Sequence, residues 1–238
     1  MNSVIRKYRE NLNGFNITYK ESDLFITADK SLKNRAFLSL IKYRKIIENH
    51  ILERPEFFTS LKPLKFQKTG LEKILISMYE AGEIAEVGPF AAVAGAISEF
   101  VAKDLTKFCE NILVENGGDV YITGNEDKII SIFQTKIKNI GLKISKSLLP
   151  IAVCSSSSVI GHSLSFGKAE LAVVLSKSGA VADAFATRIC NELKEYNDME
   201  KVISLFKNQK EIKGCIIFLH NKIGGWGDFE LININRRH

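Results

Sequence analysis

Asp183 and Thr187 stand four residues apart in the run Ala182-Asp183-Ala184-Phe185-Ala186-Thr187. On a helix that spacing stacks a carboxylate and a hydroxyl on one face. Near the positive start of a helix, such an oxygen pair suits an oxygen-coordinated metal or a phosphate ester. Upstream, Cys154 is followed by Ser155, Ser156, Ser157 and Ser158, and then by Gly161, His162, Ser163 and Lys168. Small hydroxyl and glycine residues let backbone N–H groups approach a ligand closely, as phosphate-cradling loops do. His162 is a candidate proton carrier. Cys154 opens a second chemistry, because a turn could bring its thiol to His162 while free N–H groups stabilise a thiolate or an oxyanion for sulfur or acyl transfer. The competing account of Cys154 is a buried cysteine at the end of a strand. A third group, Asn116-Gly117-Gly118-Asp119, is a strong hairpin signal. It also presents a carboxylate beside two glycines, where only backbone would crowd a ribose or a base edge.

These residues need elements to carry them. Leu149 to Val153 is an apolar strand that delivers Cys154, and Leu171 to Leu175 is another, after which Ser176 or Ser178 can cap the helix bearing Asp183. Phe15 to Lys20 and Leu24 to Ala28 alternate as a hairpin. From Ser31, a candidate N-cap, apolar residues recur at helical spacing to Leu52, and Pro55 stops the pattern. Leu71 to Ala81 forms a second helix. In the stretch from Ala85 to Ala102, Gly88 and Pro89 mark the start of a third, whose Ala- and Gly-rich body implies a crowded neighbour: another element, a cofactor or a second subunit. Lys128 to Ile137 alternates as a strand, and Met199 to Phe206 is helical. Gly214 to Leu219 and Phe229 to Ile234 are expected to pair, with Ile223 to Asp228 as the turn between them. Strand and helix patterns interleave with hairpins at both ends, which indicates an α+β fold of mixed layers, one domain spanning residues 1–238.

The bulk properties exclude several classes. A chain of 238 residues that is 45% hydrophobic and 25% charged can bury a sizeable core and is neither disordered nor fibrous. The net charge of +6 is spread along the chain without a single basic stripe, so no nucleic-acid partner is expected. Four well-separated cysteines, Cys109, Cys154, Cys190 and Cys215, form no C-x-x-C pair and no zinc-like spacing, in keeping with a reduced cytoplasmic protein. The polar start lacks a signal-peptide core, and the run from Val87 to Ile97 is too short to span a bilayer, so no membrane association is expected. The nucleotide-binding and hydrolase signatures G-x-x-x-x-G-K-[ST], G-x-S-x-G and H-E-x-x-H are absent.

Three segments together carry a resemblance: Val87 to Glu99, Val114 to Val120, and Gly161 to Glu170 with Ala182 to Thr187. The chain resembles the ApbE superfamily of FAD:protein FMN transferase-like proteins, and more closely its branch in methanogens and other anaerobes. The resemblance implies an ApbE-like, T-fold-like architecture. It implies FAD or a related nucleotide as small-molecule ligand, with magnesium, and a pocket formed by Asn116, Gly117, Gly118, Asp119, Ser155, Ser156, Ser157, Gly161, Ser163 and Lys168. Asp183 and Thr187 match the family's A-D-A-x-A-T motif, which supplies metal ligands, and His162 matches its histidine. Two departures bear on activity: Ala94-Gly95 stands where the transferases carry a K-G pair, and His162 to Lys168 replaces their H-x-x-D-P-x-T-G segment. Ligand binding is therefore the expectation, without an implied flavin transfer; a Cys154-dependent accessory role and a non-catalytic binding module are the alternatives, and a homodimer is expected.

Overall fold

In the computed structural model, residues 13–132, 140–157, 170–195, 197–219 and 222–234 are described. The first expected hairpin pairs β1 (Asn13–Tyr19) with β2 (Ser22–Ala28), placing Ile17 opposite Leu24 on the buried face. Helix α1 (Lys33–Glu53) buries Ala36, Leu40, Tyr43, Ile47 and His50 at alternating spacings of three and four, the stripe of a helix lying on a sheet. Leu32 occupies its N-cap position without a side-chain bond, so Ser31 does not cap it. The short α2 (Glu56–Thr59) leads to α3 (Lys73–Ala85), which ends at Glu86 in a left-handed conformation. Pro89 then opens a 3-10 turn that runs into α4 (Val93–Leu105), a position where its missing N–H costs nothing.

The chain continues through β3 (Ile112–Asn116), β4 (Asp119–Thr123), β5 (Lys128–Ile132), β6 (Ile140–Ile144), β7 (Ile151–Ser156) and β8 (Leu171–Ser176). Helices α5 (Gly179–Glu192) and α6 (Asp198–Phe206) follow, then β9 (Ile212–Leu219), β10 (Lys222–Gly227) and β11 (Glu230–Asn233). Eight strands form one sheet in the order β1-β2-β3-β4-β7-β8-β9-β10, and β11-β6-β5 form a second sheet of three. The large sheet divides into two halves of the same design, each a hairpin, a helical stretch and a second hairpin. The expected class, mixed layers with antiparallel hairpins at both ends, is what the chain adopts.

Helices cover one face of the large sheet and the small sheet covers the other. Alternate residues of the central strands therefore enter different cores: Val114, Tyr121, Cys154, Val174 and Ile217 meet the helices, whereas Val120, Ile122, Val153, Val173 and Ile216 meet Ile130, Leu142 and Ile144. Burial on both sides is why β7 and β8 read as unbroken apolar runs. Among the described residues, no single helix is long and apolar enough to cross a membrane.

The C-terminal strands differ from expectation. Lys222–Gly227 is itself the strand β10, paired antiparallel with β9, while β11 pairs with β6 in the small sheet. The glycines that imitate a turn are there for close approach: a Cβ at Gly225 would meet the Cys215 carbonyl, and one at Gly224 would press on Met199 and Ile203 of α6.

Candidate functional site

The turn between β3 and β4 takes positive φ at Gly117 (67°) and Gly118 (130°), with Asn116 and Asp119 paired at its base. Both flanking side chains are nearly buried and are used locally. Asn116 donates through Nδ2 to the Ala94 carbonyl at 3.2 Å, and Asp119 accepts the Ser155 N–H at 2.9 Å through Oδ1. The Ser155 hydroxyl donates to the Gly118 carbonyl at 3.3 Å, which ties the turn to β7. Space beside Gly117 is open, since nothing lies within 4 Å of where a Cβ would stand.

Asp183 lies one turn inside α5, and its Oδ2 accepts the Gly95 N–H at 2.9 Å, with the Ala94 N–H also within reach. A helix of the first half is thus capped by a carboxylate of the second. The reverse also holds: Glu99 on α4 accepts the Gly179 N–H at 2.6 Å and the Ser178 hydroxyl at 3.1 Å through Oε2, so α4 caps α5. Gly95 and Gly179 sit against each other at the crossing, where a Cβ on either would strike the other's carbonyl. The crowded neighbour of Gly95 is therefore α5, and neither a cofactor nor a second subunit. Gly88 is likewise occupied, by the backbone at Ser60.

Asp119 and Asp183 approach the same buried region from β4 and α5. Burial drives both carboxyl pKa values up, and for Asp183 the negative charge of Asp119 adds to the shift, against the help of the Gly95 and Ala94 amides. Neither carboxylate has a salt-bridge partner among the described residues. Cys154 lies between them in effect: its sulfur is 3.6 Å from the Gly179 carbonyl and within hydrogen-bonding reach of Asp119. The thiol is fully buried, and its pKa is pushed well up by burial and by the charges of Asp119, Asp183 and Glu99. Such a thiol stays protonated and inaccessible, which argues against the thiolate chemistry open to Cys154 from sequence.

Ser156 shares the helix-facing side of β7 with Cys154, is 4% exposed, and its hydroxyl has no hydrogen-bond partner among the described residues. The Cys190 thiol, at 3.1 Å from the Ser156 carbonyl, brings α5 alongside it. Thr187, 8% exposed, lies on α5 between Asp183 and Cys190. Ser157 is used structurally, donating to the Glu170 carbonyl at 2.6 Å. Gly161, His162, Ser163 and Lys168 lie outside the described residues. The geometry thus gathers Asn116 to Asp119, Ser155, Ser156, Asp183 and Thr187 around the junction of β4, β7, α4 and α5. Sequence reasoning missed Glu99, whose signal was present: Gly95-Ala96-Ile97-Ser98-Glu99 and Gly179-Ala180-Val181-Ala182-Asp183 share one pattern.

A family model described as AbpE bacteria matches residues 6–204 of the chain. The UPF0280 protein of Methanocaldococcus jannaschii is 36% identical over 231 residues, covering 93% of each chain. That of Archaeoglobus fulgidus is 36% identical over 209 residues, covering 85% of this chain and 87% of its own. Among solved structures, the H257G mutant of the flavin transferase ApbE from Vibrio cholerae superposes with a TM-score of 0.56 at 11% identity, covering 92% of this chain and 97% of that one. The apo flavinyl transferase ApbE of Pseudomonas stutzeri gives a TM-score of 0.53 at 11% identity, over 91% and 94%. Likeness at that identity establishes the fold.

Proposed function

This chain belongs to the AbpE bacteria family, and on that premise we propose that it binds FAD or a related nucleotide at the β4–β7–α5 junction, with a divalent cation at Asp183 and Thr187. One observation carries the reading: two buried carboxyl groups, Asp119 and Asp183, each held by a backbone amide, stand without a cationic partner among the described residues. Such a pair is costly in the free protein and is relieved by a bound hard cation. The unpartnered Ser156 hydroxyl and the open space beside Gly117 fit a polar ligand entering there. Magnesium, when bound, would supply charge neutralisation for a pyrophosphate.

The chain's own residues do the positioning. The Gly95 amide fixes one oxygen of Asp183, which leaves the remaining lone pairs for the cation, and Thr187 adds a hydroxyl one turn along. The Ser155 amide orients Asp119 in the same way. Ala94 and Gly95, where the transferases of this superfamily are expected to carry K-G, contribute backbone groups: the Ala94 carbonyl holds Asn116 and the Gly95 amide holds Asp183. The reading proposed for this site is ligand binding, carried by these backbone groups and the two carboxyl groups.

The test is a calorimetric titration with FAD, FMN and ADP, with and without magnesium, on the wild type and Asp183→Ala. Magnesium-dependent binding of FAD that is lost in the variant is the expected result. Absence of binding by every nucleotide would refute the reading. Chromatography of the incubated mixture for FMN and AMP then separates binding from cleavage.

A further inference from the structure

β10 is an edge of the large sheet; among the described residues it pairs with β9 alone. Alternate N–H and C=O groups of an edge strand point outward, and natural edges are usually blunted by charge, proline or a covering element. The stretch Ile223-Gly224-Gly225-Trp226-Gly227 carries no charge and no proline, and Ile223 is 40% exposed. Along it lies a groove of about 310 Å³ lined by β10 from Ile223 to Gly227 together with Ile216, Phe229 and Leu231.

We propose that β10 pairs antiparallel with β10 of a second copy of this chain, about a two-fold axis at Gly225, to form a symmetric dimer. The sequence of the strand is complementary to its own reverse. With Gly225 opposite Gly225, each Ile223 lies across from Gly227 and each Trp226 across from Gly224, so every large side chain meets a position without one. Lys222 falls opposite Asp228 in both directions, giving two opposite-charge pairs at the ends of the ladder. Faces agree as well: Ile223 and Gly227 both border the groove, so the partner's Ile223 enters beside Phe229. In a chain of net charge +6, this strip carries one charge of each sign and so adds no net repulsion between two copies. Pairing of β10 with the other edge, β1, would be head-to-tail and would produce open chains instead of a closed dimer.

Sedimentation velocity of the full chain over a concentration series tests the proposal. The wild type is expected to pass from monomer to dimer as concentration rises. Ile223→Lys, which places a charge on the edge, should remain monomeric, as should Lys222→Asp and Asp228→Lys, each of which sets like charges opposite one another. The double reversal Lys222→Asp with Asp228→Lys should restore the dimer, an outcome that damage to the fold cannot produce. Circular dichroism confirms that each variant is folded. A monomer at every concentration, species larger than a dimer, a dimer unaffected by Ile223→Lys, or failure of the double reversal to restore pairing would overturn it.

Discussion

Asp183 caps one helix and belongs to another, and a cap alone would not need its charge. Asparagine at that position still offers the Gly95 amide an oxygen while removing the repulsion from Asp119. Asp183→Asn is therefore expected to leave the ligand-free protein as stable or about 1 kcal/mol more stable at mildly alkaline pH, a rise of roughly 2–4 °C in thermal midpoint. On the proposed function, magnesium with nucleotide should raise the midpoint of the wild type and leave that of this variant unchanged. A clear fall in midpoint without ligand would mark Asp183 as structural. The cysteines give a second prediction at this scale. Cys154, Cys190 and Cys215 are buried and only Cys109 is half-exposed, so iodoacetamide should label Cys109 slowly in native buffer and all four thiols after denaturation, as peptide mass mapping would show. Rapid native labelling of Cys154 would return the thiol to consideration.

Helices α4 and α5 hold one another by the same device used twice, so changes at the crossing should be felt on both sides. Gly95→Ala and Gly179→Ala each put a methyl group against a backbone carbonyl that cannot swing aside, and each is expected to cost about 1–3 kcal/mol in chemical denaturation. Glu99→Gln keeps an acceptor for the Gly179 amide and should be mild, whereas Glu99→Ala leaves a buried N–H unpaired and should cost roughly 1–3 kcal/mol. Legibility in the sequence followed the range of the interactions. The Asn116 to Asp119 turn and the Asp183–Thr187 face are local, and spacing alone revealed them. Glu99 acts on Gly179, 80 residues away, and no periodicity within α4 could disclose that. Only the repetition of one five-residue pattern hinted at it, in a chain whose two halves are otherwise too divergent to look repeated. β10 was misread for the opposite reason: its glycines were judged by local turn chemistry, while the constraint on them came from β9 and α6.

At the scale of the whole molecule, stability answers to a histidine far from the site. His50 is 5% exposed under Phe57 and shares a 2.9 Å hydrogen bond with the Tyr79 hydroxyl; burial, and then the charge of Arg54, push its pKa below the ordinary 6.5. A group with a depressed histidine pKa binds fewer protons folded than unfolded, so stability is complete above pH 6.5 and is lost as pH falls toward the folded value. The Asp119–Asp183 pair, with raised values, acts in the opposite sense and gains stability on acidification. Comparing the wild type with His50→Gln, which keeps a partner for Tyr79, isolates the histidine: the variant should lose less midpoint than the wild type between neutral pH and pH 5, by thermal melts across that range. The small sheet carries a different consequence. Its strands β5 and β6 lie between the halves of the chain, but the third, β11, which completes the pairing of β6, comes after β10. On the ribosome, β6 must therefore wait with an open side until nearly 90 further residues have been made, and the outer core seals only when the last described strand arrives. Closure of the outer core thus waits on a clasp from beyond β10, and chaperone occupancy of nascent chains arrested behind C-terminal linkers of increasing length should drop once Glu230–Asn233 clears the exit tunnel.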